Sequence, residues 1–263
     1  MQKYWLVFTT TIKEYFAYRL NFVIWRVRVF LGFLITFFLW FSVFENRFTF
    51  GSYTKTELLS YIFFANIVSN FVLGTRTIDI ASDIINGTIM NYILKPISFF
   101  KYYLSRDLAD KLLNLVFVVF EVWFLFILFR PPIIIPQSTI YHLISIIFLI
   151  IGTLISFFIS LSLSFIGFWS NEIWSPRFLF LTTVFFISGS YFPLDLLPSR
   201  IYDLLILTPF PYLFYLPTQL FLGKLHLINP TVIISSLFWL VFFGFFTQWL
   251  WLKGNRSYSF FGR

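Results

Sequence analysis

The chain has 263 residues, of which 59% are hydrophobic, 24% aromatic and 11% charged, against about 25% charged in soluble domains. A water-soluble fold of this length cannot hide so much apolar surface, so the composition implies an all-α polytopic membrane protein. There is no Cys, which excludes disulfides and thiolate chemistry, and the net charge of +8 is read as Lys and Arg meeting anionic lipid rather than nucleic acid.

The helical elements follow in chain order. Over 3–20, Trp5, Phe8, Ile12, Phe16 and Leu20 recur every three or four residues with Lys3, Lys13 and Arg19 between them, the pattern of an amphipathic helix lying in the membrane surface. No small-residue cleavage site follows it, so a cleavable signal is not expected. Charge-poor runs then predict six spans, at about 24–44, 58–75, 112–129, 139–168, 178–194 and 229–252. Arg26 and Arg28 are expected to snorkel from the first span to headgroups. The third span carries Glu121 in its middle, and "PPIIIP" at 131–136 forces a turn after it. Trp5, Trp249, Trp251 and Tyr258 fall near the proposed membrane edges.

Residues 195–224 are apolar enough for a seventh span but contain Asp203 and the breakers Pro209, Pro211 and Pro217. Backbone freed by proline cannot face lipid unpaired, so a re-entrant or interfacial outer hairpin is expected here. With six spans and an inner N-terminus, only Arg47, Lys55, Arg130, Arg200 and Lys224 fall outside. The inner set includes Arg76, Lys95 and Arg263, as the positive-inside rule requires. No repeat or linker divides the chain, and 1–263 reads as a single membrane domain.

No GxxxxGK[ST], GxSxG or HExxH occurs, and His142 and His226 have no acidic or His neighbour at ligand spacing. Catalytic, cofactor-binding and metal-binding residues are therefore not expected on this chain. Glu121 is the one acid inside a predicted span. It is either a polar point on a substrate path or subunit seam, or a satisfied buried carboxyl. Gly152, Ser156, Ser160 and Ser164 repeat every four residues along the fourth span, forming a small-residue seam that either slides against another helix or packs statically within the chain.

The run 75–110 is the longest inner loop. Asp79 and Asp83 share one helical face and Ile80 and Ile84 the next, and Gly87 stands where a helix end favours positive φ. A short helix below the membrane, with a sharp turn before Lys95-Pro96, follows from this spacing. It is either gripped by a partner or merely solvated.

The stretch "DIINGTIMNYILKPIS" (83–98) resembles the Gly-Thr, Leu and Pro spacing after the second span of type-2 ATP-binding-cassette (ABC) exporter permeases. "FFISGSYFPLDLLP" (185–198) is similar to that family's sequence at the end of the fifth span. The order of elements also matches, across nearly the whole chain, and the closest likeness is to bacterial permeases that occur as paired subunits. Asn91 departs from the pattern, since Glu is common at that place. The resemblance implies a cytoplasmic-membrane exporter subunit with both termini inside. It implies a second permease subunit, identical or paralogous, and ABC ATPase subunits that hold ATP and Mg²⁺. Asp79, Ile80, Asp83, Ile84, Gly87 and Thr88 would couple to the ATPase, and Glu121, Gly189, Pro193 and Asp195 would lie on the pathway or an interface. The alternatives are a polytopic membrane enzyme or an ion-coupled carrier, both acting without an ATPase.

Overall fold

The computed structural model describes residues 2–75, 77–94, 96–136 and 138–257. Arg76, Lys95, Tyr258 and Arg263, used above, lie outside them. The chain is an all-α polytopic membrane protein with a single two-stranded ribbon. Helix α1 (Gln2–Ala17) turns at Tyr18 into α2 (Arg19–Val43). A hairpin of β1 (Thr49–Phe50) and β2 (Tyr53–Thr54) follows, with Gly51 at φ +60° in its two-residue turn. Strands this short leave no alternation for the sequence to display, and the hairpin was not anticipated.

Helix α3 (Lys55–Leu73) starts at a capping box. Glu57 N–H donates to Thr54 Oγ1 at 3.4 Å, and Thr54 N–H donates to Glu57 Oε2 at 2.8 Å. Then come α4 (Thr77–Ile85), α5 (Met90–Ile93) and α6 (Phe99–Phe129). Helix α6 begins well before the expected start at 112, so the last third of the expected loop 75–110 already belongs to it. Its 31 residues span roughly 46 Å, more than a hydrocarbon core of about 30 Å, and its charged N-terminal turns can project beyond the lipid. Arg130 ends it at φ 42° before the prolines.

Helix α7 (Thr139–Phe165) runs on into a 3-10 turn at 166–168, and α8 (Trp174–Ile187) follows. Helices α9 (Ser199–Ile206) and α10 (Tyr215–Phe221) occupy the proline-rich stretch, and α11 (Pro230–Ser257) closes the bundle. Asn229 Oδ1 accepts from Val232 N–H at 2.8 Å and Pro230 takes the first helical position, the arrangement expected of a helix start.

Among the described residues, five helices are long and apolar enough to cross a membrane: α2, α3, α6, α7 with its 3-10 turn, and α11. The run expected as a span over 178–194 is helical only to Ile187. Beyond it Gly189 sits at φ +83°, with Tyr61 OH donating to its carbonyl at 2.5 Å. A Cβ there would meet Tyr61 Oη at 2.7 Å and Tyr215 Cβ at 2.9 Å, so local backbone and neighbours end the helix where hydropathy alone would extend it.

Helix α7 is the centre of the bundle, touching α3, α4, α10 and α11. The main core joins Tyr61, Ile62 and Ala65 of α3 to Ile155 and Ile159 of α7 and to the buried run Tyr212–Leu216. The proline-rich stretch thus plugs into the core through its second half. Helices α2, α6 and α11 instead turn large apolar side chains outward, among them Phe120, Trp123 and Phe245, which is favourable only against lipid.

Gly152 of α7 faces the backbone of Tyr212, and a side chain there would collide with its carbonyl oxygen. Gly152→Val should cost about 1–3 kcal/mol through overpacking, a fall of roughly 3–10 °C in Tm, in detergent-purified protein. Gly32→Ala, where a Cβ meets nothing within 4 Å, should leave Tm unchanged.

Candidate functional site

Polar side chains run as a ladder along α6. Arg26 of α2, expected to snorkel, is instead buried and pairs with Glu121. Its Nε donates to Glu121 Oε1 at 2.9 Å and its Nη2 lies 2.5 Å from Oε2. The correction has a simple cause: a lone acid and a lone cation in facing helices each cost more alone than together. Arg26 Nη1 also donates to Asn114 Oδ1 at 3.1 Å and reaches Asn70 Oδ1 at 3.5 Å. One turn toward the N-terminus of α6, Asn114 donates to Asp110 at 3.0 Å, and Asp110 accepts from Tyr15 OH of α1. Lys111, fully buried, donates to the carbonyls of Phe71, Val72 and Gly74 at 2.6–3.2 Å and pairs with Asp107 at 3.5 Å. It caps the end of α3 with a cation, which satisfies carbonyls that the helix cannot. Sequence reasoning weighed Glu121 and missed Arg26, Asp110, Lys111 and Asn114. The one signal that pointed there was the charge balance of Arg26 in the first span against Glu121 in the third.

The segment 77–94 is fastened to the same helix. Asp79 lies 3.3 Å from Arg106 Nη2, which also pairs with Glu14 of α1 at 3.0 Å. Asp83 accepts from Tyr103 OH at 2.9 Å and from Thr88 Oγ1 at 2.7 Å. Gly87 takes φ +76° and its N–H donates to Ile84 O at 3.2 Å, so the turn expected there is present. Ile80 and Ile84 face inward, buried with Ile89, Phe99, Tyr103 and Phe165. The exposed edge of this segment is Ser82, Ile85, Asn86, Thr88, Asn91 and Leu94.

On the other side of the bundle, Tyr53 OH donates to Asp195, with its oxygen 2.8 and 2.6 Å from Oδ1 and Oδ2. It accepts from Gln219 Nε2 and Lys224 Nζ, each at 2.5 Å. Lys224 pairs with Asp195 at 3.3 Å. Burial, then the Asp195 carboxylate, push the Tyr53 phenol well above its usual range, so it remains a donor at any physiological pH. This knot ties the hairpin to the turns before α9 and after α10. Pro193 starts the turn that carries Asp195. Of the expected pathway residues, Gly189, Pro193 and Asp195 therefore lie together at this end, and Glu121 lies on the α6 ladder.

The seam residues are inside the chain. Gly152 meets Tyr212, Ser156 and Ser160 are buried, and Ser164 donates to Thr77 O at 2.7 Å and accepts from Arg177 at 3.3 Å. Between α2, α3 and the end of α8 opens a cleft of about 480 Å³, lined by Arg28, Thr36, Asn66, Ser69, Asn70 and Ser190 among apolar side chains.

An all-α bundle with long apolar helices turned outward defines a multi-pass membrane protein. The model of the ABC-2 family transporter proteins matches residues 30–262, and the chain belongs to that family. No curated protein matches it. The chain is accordingly a permease subunit of an ABC transporter, and its family works with ABC ATPase subunits.

Removing one member of a buried ion pair strands the other. Arg26→Gln and Glu121→Gln should each cost about 3–5 kcal/mol of stability, and the double variant should recover most of that. Thermal unfolding in detergent checks this, and strictly additive losses would refute the pairing. Tyr53→Phe should cost about 1–3 kcal/mol by leaving Gln219 without its acceptor, read as a lower Tm.

Proposed function

We propose that this chain is the membrane subunit of an ATP-driven exporter in a bacterial cytoplasmic membrane, crossing it six times with both termini inside. Helix α8 would be the sixth crossing segment, completed by the protein-packed turn through Gly189. The stretch 195–224 would be a re-entrant outer hairpin, a reading supported by its buried second half, in which Pro209, Pro211 and Pro217 are all buried. A second permease subunit, identical or paralogous, would face the α2–α3–α8 cleft and enclose the pathway. Separate ATPase subunits would hold ATP and Mg²⁺ and supply the work.

The observation that carries this reading is the two-sided build of the segment 77–94. Its inner face is locked to α6 and α7 by Ile80, Ile84, Asp79 and Asp83, while its outer edge is bare, with Leu94 78% exposed. A rigid element that is fixed within and bare outside passes a push from a docked partner to the helices behind it. Asp79, Ile80, Asp83 and Ile84 then act as the anchors of the coupling segment, Gly87 shapes its turn, and Ile85, Asn86, Thr88 and Leu94 make the docking edge.

The test is co-purification with P-loop ATPase subunits from the native membrane. Wild type should retain the ATPase in mild detergent. Ile85→Arg and Leu94→Arg should lose it at least about tenfold, as expected when an apolar anchor of an interface is replaced by a charge, with Tm unchanged because both side chains are exposed. Retention of the ATPase by both variants would reject this docking edge.

A further inference from the structure

The cleft between α2, α3 and α8 has a charge that the rest of the bundle does not neutralise. Arg28 stands in its wall and has no carboxylate partner among the described residues, and no Asp or Glu lines the cleft. Two residues earlier, Arg26 points the other way into Glu121, so the acid that could have answered Arg28 is already engaged. Arg28 is exposed near the start of α2, so the cation stands open to an anionic group entering the cleft.

The remaining chemistry is graded along the cleft. Trp25 lies beside Arg28 at the end nearer the start of α2. The polar rung of α3 follows, where Asn66 accepts from Asn70 at 2.9 Å through Oδ1. That bond leaves the Nδ2 donor of Asn66 unused among the described residues. Beyond the rung the walls are Phe33, Ile62 and Phe185. From Arg28 to Thr36 the cleft follows about 12 Å of α2. It offers one cation, then the Asn66 amide donor, then apolar walls, while the hydroxyls of Ser69 and Thr36 are spent on the carbonyls of Asn66 and Gly32.

We propose that this cleft takes an amphiphile with an anionic headgroup. A phosphate or carboxylate rests on Arg28, the polar shoulder of the molecule bonds to Asn66, and the chain lies along Phe33, Ile62 and Phe185. Cationic amphiphiles of the same length meet no counter-charge there. Transport of such a molecule rests on the exporter reading above, whereas its binding does not.

The experiment therefore measures binding on the permease chain and turnover on the complex. The purified chain goes into nanodiscs of phosphatidylcholine doped with phosphatidylglycerol, and native mass spectrometry counts retained lipid. Wild type is expected to keep phosphatidylglycerol in preference to phosphatidylcholine. Arg28→Gln should weaken that retention roughly 10- to 100-fold, the loss of a charge-assisted hydrogen bond, Arg28→Lys should keep most of it, and Lys253→Gln on the distant end of α11 should change nothing. Dodecyl phosphate should displace the retained lipid and dodecyltrimethylammonium should not. Equal retention by wild type and Arg28→Gln, displacement by the cation, or displacement by inorganic phosphate alone would each overturn the proposal. Preferential binding with no effect of dodecyl phosphate on ATP turnover of the ATPase complex would instead count against the exporter reading and leave the site intact.

Discussion

Hydrocarbon does not solvate charge, and this constraint organises the bundle around the Arg26–Glu121 pair. The pair joins α2 to α6 across 95 residues of sequence. Through Arg26 it also reaches Asn70 of α3 and Asn114 of α6. Each polar side chain placed in the bundle needs a partner, and each partner fixes the register of another helix. Lipid packs as well against one apolar helix face as against another, so apolar contact alone selects helix neighbours weakly. The ladder from Glu121 to Lys111 provides the selection that oily surfaces cannot.

The same economy explains the short helix α4. It has only nine residues, too few to be stable alone in water. It persists because Ile80 and Ile84 enter the core and Asp79 and Asp83 reach side chains of α6. Arg106 links α4 to α1 as well, through Glu14. A displacement of α4 would therefore be felt in α1 and α6 together.

At the opposite end, a hairpin over 49–54 with two residues in each strand is tied down by the Tyr53 phenol. Tyr53 serves Asp195, Gln219 and Lys224 together, and its ring lies 4.0 Å from Lys224 Nζ. A two-stranded ribbon is marginal in isolation, so this hydroxyl and its neighbours supply the order that the strands lack. The knot also locates Gly189 and Asp195 at one end of the cleft-bearing helices, away from the segment 77–94. The two ends are bridged by α3, whose last carbonyls rest on Lys111 and whose Tyr61 holds the Gly189 turn.

By itself the sequence determined the environment and where the long apolar helices run. Phe, Ile, Leu and Trp in runs of about twenty can only be helices in lipid, Pro209 to Pro217 can only interrupt them, and Gly87 can only mark a turn. These are local consequences of hydropathy and backbone sterics, and they need no knowledge of neighbours. What the tertiary structure alone decided is pairing. Arg26 looked like a snorkelling cation because its partner is 95 residues away, and Ile80 and Ile84 looked available because the core that buries them is built from α6 and α7. The fifth run stopped at Ile187 rather than 194 because Tyr61 and Tyr215 crowd Gly189. The cleft exists only where α2, α3 and α8 meet. A residue's type states what it needs, whereas which distant residue meets that need is set by how the helices pack.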